Sequence, residues 1–168
     1  MTTVLLWLGV ALLVVLLLGI GVWAYQTASR LNRLHVRYDL SWQALDAALG
    51  RRAVVARAIA ADAYGPGPQR SALAALADVA EHAPRWTREG CENELSTALS
   101  QVDVATIPPA LVEELAEAES RVLLARRFHN DAVRDTLALR ERRPVRWLRL
   151  GGHAPLPSYF EIAEPAQR

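Results

Sequence analysis

The sequence predicts an all-α protein, with a single apolar membrane-spanning helix at the N-terminus and then an up-and-down antiparallel bundle of four helices. Three observations predict it. Val4 to Tyr25, VLLWLGVALLVVLLLGIGVWAY, carries no charge and no proline. The chain beyond it is rich in Ala, Leu, Arg and Glu, which favour helix, and its apolar residues recur at steps of three and four. No strand-like alternation of useful length is present. A three-helix bundle, in which the segments on either side of Pro84 join as one bent helix, is the alternative. The domain order is an anchor at residues 1–25, a helical bundle at 26–142 and a basic, Pro/Gly-punctuated tail at 143–168.

As a helix rising about 1.5 Å per residue, Val4 to Tyr25 is about 33 Å long, which matches a hydrocarbon core of about 30 Å. A buried core helix of that purity would need a larger soluble domain around it than this chain supplies. A signal peptide would show a basic start, a shorter apolar stretch and a small-x-small cleavage site. Here Met1-Thr2-Thr3 has no side-chain charge and the run is longer, with Trp7 near one end and Trp23 and Tyr25 at the other. Such aromatics mark membrane interfaces, so the segment reads as a retained anchor. Arg30, Arg33 and Arg37 follow it directly, whereas only the terminal amine precedes it. The positive-inside bias places the N-terminus outside and the chain from Gln26 onward in the cytoplasm, at the inner (plasma) membrane. Gly9 has no glycine four residues on, so no small-residue dimerisation motif is present in the span.

The remaining residues suffice for one compact domain with its own core. Formal net charge is +1, which excludes the general basic field of a nucleic-acid binder. Every basic residue other than histidine is arginine, whose planar fork forms well-defined bidentate ion pairs. Cys91 is the sole cysteine, so no intrachain disulfide exists.

The first bundle helix runs from Thr27 to Ala63. Leu31, Leu34, Tyr38, Trp42, Leu45, Leu49, Ala56, Ile59 and Ala63 form its apolar stripe. Arg52 falls where that stripe continues, so its charge must snorkel or meet a carboxylate. Tyr64-Gly65-Pro66-Gly67-Pro68 is a tight connector. A second helix spans about Gln69 to Ala83, with Leu73, Leu76, Val79 and Ala80 inward, and Pro84 ends or kinks it. A third covers about Glu92 to Val104 with Leu95, Leu99 and Val102 on one face. The last runs from about Pro109 to Arg142, and proline suits its first turn. Its stripe is Leu111, Leu115, Ala118, Val122, Ala125, Phe128 or His129, and Ala132. Glu117 and Arg121 are spaced to attract on its outer face.

His35, His82, His129 and His153 are scattered, with no HExxH, Cys-His or Glu-x-x-His pattern, so neither a metal site nor a cofactor site is expected. No phosphate-cradling glycine loop, nucleophile elbow or dinucleotide fingerprint is present, and Gly151-Gly152 lies in a proline-punctuated tail. No catalytic residues stand out, and an enzyme is not expected. Two groups of polar residues stand out for other reasons. Arg142, Arg143, Arg146, Trp147 and Arg149 interleave arginine with tryptophan, which suits an anionic membrane surface; each basic residue near the headgroups adds about 1 kcal/mol. A basic helix end with Trp147 packed on the bundle is the plainer reading. Arg52, Glu119, His129 and Asn130 are polar residues on or beside the inner faces, suited to fixing helix register or receiving a partner.

Several segments resemble one family, the LemA proteins. Asn32-Arg33-Leu34, Arg37, Ser41-Trp42-Gln43, Leu45-Asp46, Leu49 and Arg51-Arg52 resemble that family's long helix after its anchor. Glu92-Asn93-Glu94-Leu95-Ser96 with Ala98-Leu99-Ser100 is similar to its ENELSxALS stretch. Glu119, Arg121-Val122, Ala125-Arg126-Arg127, Asn130 and Ala132-Val133-Arg134-Asp135 resemble its ExxIxxARRxYNxAVRD signature, and Pro157 with Tyr159-Phe160-Glu161 its aromatic C-terminal end. The chain departs from the pattern at Ala53-Val54-Val55-Ala56-Arg57, at His129 in place of a tyrosine, and at Thr136-Leu137. The resemblance is to a divergent member. It implies a membrane-anchored helical bundle of unestablished molecular activity. The functional expectation is a non-enzymatic interaction or scaffold module whose partners are the membrane and a protein, with anionic headgroups and without nucleic acid. A non-catalytic regulatory subunit of a membrane enzyme, such as a quality-control protease, is the rival.

Overall fold

The computed structural model describes residues 2–148, 150 and 155–162. Among them are five α-helices and no strand: α1 (Thr2–Ala63), α2 (Pro68–His82), α3 (Arg85–Ser100), α4 (Pro109–Arg140) and α5 (Arg143–Trp147), with one 3-10 turn at Val104–Thr106. The apolar N-terminal segment and the amphipathic helix after it are therefore one continuous helix. Nothing between Tyr25 and Gln26 breaks it, because no proline or glycine lies there.

The chain divides into two compact units, Met1–Tyr38 with Ala132–Pro157, and Asp39–Asp131 with Ser158–Arg168. In the first, Leu31 of α1, Leu139 of α4 and Val145 of α5 form a small buried cluster, with Leu34 and Leu150 against it. Asp135 and Arg37 pair at 2.9 Å beside it. Within this unit every residue from Thr2 to Trp23 is exposed. Among the described residues, α1 is the one helix long and apolar enough to cross a membrane.

The second unit holds the larger core. Ala53, Val55, Ala56, Ile59 and Ala60 of α1 meet Leu73, Ala77 and Ala80 of α2, Leu95 and Leu99 of α3, and Ala118 of α4, and Val102 and Ile107 close the end near the 3-10 turn. Alanines dominate the α1–α2 contact, which lets those backbones approach closely. A second cluster of Leu45, Leu49, Val122 and Phe160 continues the core, with Trp42, Ala48, Ala125 and Ile162 packed on it.

Pro68 sits in the first turn of α2, where its missing N–H costs nothing. Ala83 and Pro84 are both extended, at φ −64° with ψ 132° and 155°, so α2 and α3 are separate helices. Two sequence expectations change here, and an open alternative on α4 is decided. The third helix starts at Arg85, immediately after the proline, and ends at Ser100 rather than Val104. Val79 is exposed, because it lies about 240° around α2 from Leu73, and Ala77 takes the inward place. On α4, His129 occupies the buried stripe and Phe128 points to solvent.

Candidate functional site

The polar residues of the inner faces fall into two groups within the Asp39–Asp131 unit. The first is an ionic cluster between α1 and α3. Arg52 and Glu92 are both buried, at 3% and 0% exposure. Arg52 Nη2 donates to Glu92 Oε2 at 2.6 Å and to the Glu92 carbonyl at 3.1 Å, and Nη1 donates to Ser96 Oγ at 3.0 Å. Arg88, also buried, donates from Nε to the other carboxylate oxygen at 3.1 Å. Its Nη1 donates to the Glu81 carbonyl at 2.7 Å and lies 3.1 Å from Asp46 Oδ1. One carboxylate thus holds two guanidiniums, and Arg88 additionally satisfies a carbonyl that the end of α2 leaves without an intrahelical partner. Arg88, Glu92 and Ser96 follow one another at steps of four, so one face of α3 presents all three. Glu119 is half-buried on α4. Burial pushes its carboxyl above the usual range, and the charge of Arg52 opposes that rise.

The second group surrounds Trp42. The fully buried His129 makes a 3.1 Å hydrogen bond through Nδ1 with Ser41 Oγ, and its ring meets Trp42 edge-on at 5.6 Å. The Arg85 guanidinium lies 4.1 Å above the Trp42 ring, a cation–π contact. Burial, reinforced by the Arg85 charge, pushes the His129 imidazole below its ordinary range, and a hydrogen bond involving the Ser158 backbone pulls the other way. Asn130 grips the C-terminal segment with both ends of its amide. Nδ2 donates to the Phe160 carbonyl at 3.1 Å, and the Phe160 N–H donates to Oδ1 at 2.9 Å. This reciprocal pair seats Phe160 at 3% exposure, 5.7 Å from Trp42.

The sequence-derived polar residues are therefore split. Arg52 and Glu119 belong with the ionic cluster, and His129 and Asn130 with Trp42. Arg52, His129 and Asn130 each hold one segment to another, whereas Glu119 meets the cluster only through the charge of Arg52. Sequence reasoning did not single out Glu92 and Arg88, although the lone arginine in the α1 stripe had either to snorkel or to meet a carboxylate.

The basic segment lies in the other unit. Arg142, Arg143 and Arg146 are exposed, Trp147 is 86% exposed, and Arg149 falls outside the described residues, as do Gly151, Gly152 and His153. Trp147 does not pack on a core; Val145 between the arginines does, at 1% exposure. Arg142 lines a cavity of about 590 Å³ together with Trp23, Tyr25, Ser29, Arg30 and Arg33. Among the described residues, no group of three or more His, Cys, Asp or Glu is placed to hold a metal ion.

Comparison of the chain with family models, with curated proteins and with solved structures gives no match.

Proposed function

We propose that this chain is a divergent, LemA-like, membrane-anchored helical bundle that acts as a non-enzymatic interaction or scaffold module on the cytoplasmic side of the inner membrane. The observation that carries the reading is the exposure of every residue of α1 from Val4 to Trp23. Burying that surface in lipid is worth about 25 cal/mol per Å² of apolar area, and leaving it in water forfeits as much. Arg30, Arg33 and Arg37 beyond it set the orientation through the positive-inside bias. Arg143, Arg146 and Trp147 then lie on the headgroup side, where interleaved cations and an aromatic are favourable.

Support for the interaction role comes from what the polar residues are used for and what the surface leaves open. Arg52, His129 and Asn130 make hydrogen bonds to the protein's own segments. On the outer face of α4, Leu124 and Phe128 are one turn apart and exposed at 54% and 57%, and Trp86 at the start of α3 is 83% exposed. Exposed aromatic and aliphatic side chains of this kind are the anchors of protein interfaces. The test is co-purification of the full chain in mild detergent, with Leu124→Ser and Phe128→Ser combined. The double variant is expected to fold normally and to lose the protein captured by the unaltered chain. Unchanged capture would reject this face as the contact, and a stoichiometric membrane enzyme in the captured material would favour the regulatory-subunit reading.

A further inference from the structure

We propose that the cavity at the foot of the apolar segment binds the phosphate of an anionic phospholipid headgroup. The inference rests on the anchored reading and deepens it by assigning a ligand class to a defined set of side chains. The cavity is lined by Arg30 and Arg33 of α1 and by Arg142, which follows α4, together with Ser29, Trp23 and Tyr25. Among the described residues, no carboxylate is in the lining. Arg37, one turn beyond Arg33, shows the contrast, since it pairs with Asp135 at 2.9 Å. Among the described residues, none of Arg30, Arg33 and Arg142 has a carboxylate within 4.0 Å.

Three guanidiniums sharing one cavity repel one another, and an anion between them removes that cost. Arginine favours phosphate over a simple halide, because its planar fork donates two parallel hydrogen bonds to neighbouring oxygens. The volume of about 590 Å³ falls within the roughly 300–1,000 Å³ typical of small-molecule sites. The wall is firm: Leu139 and Val145 line the cavity and are buried against Leu31.

Position distinguishes a lipid from a free anion. On the anchored reading the span ends near Tyr25. Arg30 then lies about 7.5 Å further along the helix, and the headgroup layer extends about 5–8 Å beyond the hydrocarbon on each side. Side chains on a helix lean toward its N-terminus, so Arg30 and Arg33 reach back toward the bilayer. Trp23 and Tyr25, also in the lining, are aromatics of the kind that mark that interfacial depth.

The test is native mass spectrometry of the full chain in detergent with equal amounts of phosphatidylglycerol and phosphatidylcholine, repeated with an excess of inorganic phosphate. The expected result is retention of one phosphatidylglycerol at least about fivefold over phosphatidylcholine, the ratio equivalent to about 1 kcal/mol for a single arginine. Arg30→Gln and Arg33→Gln should each lower that preference about fivefold, whereas Arg121→Gln, which removes the same charge from the outer face of α4, should leave it unchanged. Circular dichroism checks that each variant folds. Equal retention of the two lipids overturns the proposal, as does an equal loss in Arg121→Gln. Displacement of phosphatidylglycerol by inorganic phosphate that is itself retained reassigns the cavity to a free anion and also overturns it. A carbonate wash of membranes carrying the chain separates the two readings. A chain that washes off removes the anchor and this site together, whereas a chain that stays without lipid preference removes only the site.

Discussion

Glu92 is the residue on which the most depends, because its single carboxylate pairs with two buried guanidiniums. Removing one partner from a buried ion pair costs about 3–5 kcal/mol, much of it the penalty of the charges left behind. Glu92→Gln is therefore expected to destabilise the full chain by about that much in chemical unfolding. Replacing Arg52, Arg88 and Glu92 together by Met, Leu and Leu is expected to be far milder, because well-packed apolar residues commonly equal such a cluster. If the single and the triple variants cost the same, the cluster is not acting as a unit. His129 sets the pH response of the same unit. Its folded pKa is lowered, so the unfolded chain binds a proton first as pH falls below about 6.5, and stability is lost downward from there through the folded value. Glu119 has the opposite sign, because its raised pKa makes the fold gain on protonation as pH falls through that raised value. His129→Gln is expected to flatten the pH dependence of the unfolding midpoint below about pH 6.5 relative to the unaltered chain; an unchanged slope would assign the pH response elsewhere. The sequence made half of this legible. Arg52 in an apolar stripe announces a buried charge, but its partner lies forty residues on in another helix, and periodicity cannot name it. Phe128 against His129 was undecidable for a related reason. Hydropathy favours the phenylalanine inward, and the hydrogen bond to Ser41 that admits the histidine is a tertiary contact.

At the scale of elements, periodicity placed α1 and α4 well, since long helices with a continuous stripe average over single exceptions. The α1 stripe predicted from Leu31 to Ala63 is buried or half-buried throughout. The shorter helices were read less well, because capping and backbone geometry decide their ends. Pro84 starts α3 as readily as it stops α2, and a start at Arg85 brings Arg88 into the buried face. Gly50 provides a test of α1. It sits inside the helix, and a Cβ added there meets nothing within 4 Å. Gly50→Ala should therefore stabilise the chain by about 0.5–1 kcal/mol through the reduced entropy of the unfolded state. A destabilising result would show that the helix is bent or crowded at that point. Asn130 belongs to this scale as well, because it fastens residues 158–162 to α4 through backbone groups. Nothing in the local sequence of α4 signals a partner thirty residues away.

At the scale of the molecule, the all-helical composition follows from residue preferences and the absence of alternation, and the described residues contain helices without strands. For function, the sequence supports only a proposed physical setting. The apolar segment argues for a bilayer, the arginines for a side of it, and the engaged polar residues for a structural use of groups that elsewhere perform chemistry. The partner itself is written in the partner's surface as much as in this one. The measurement that bears most directly on the proposed anchored, cytoplasmic module is the fluorescence of a green fluorescent protein fused after Arg168, read in carbonate-washed membranes. The account predicts fluorescence that stays with the washed membranes, because the span holds the chain and the C-terminus lies in the cytoplasm, where the reporter matures. Fluorescence in the soluble fraction would contradict the anchor, and washed membranes that hold the fusion without fluorescence would contradict the orientation.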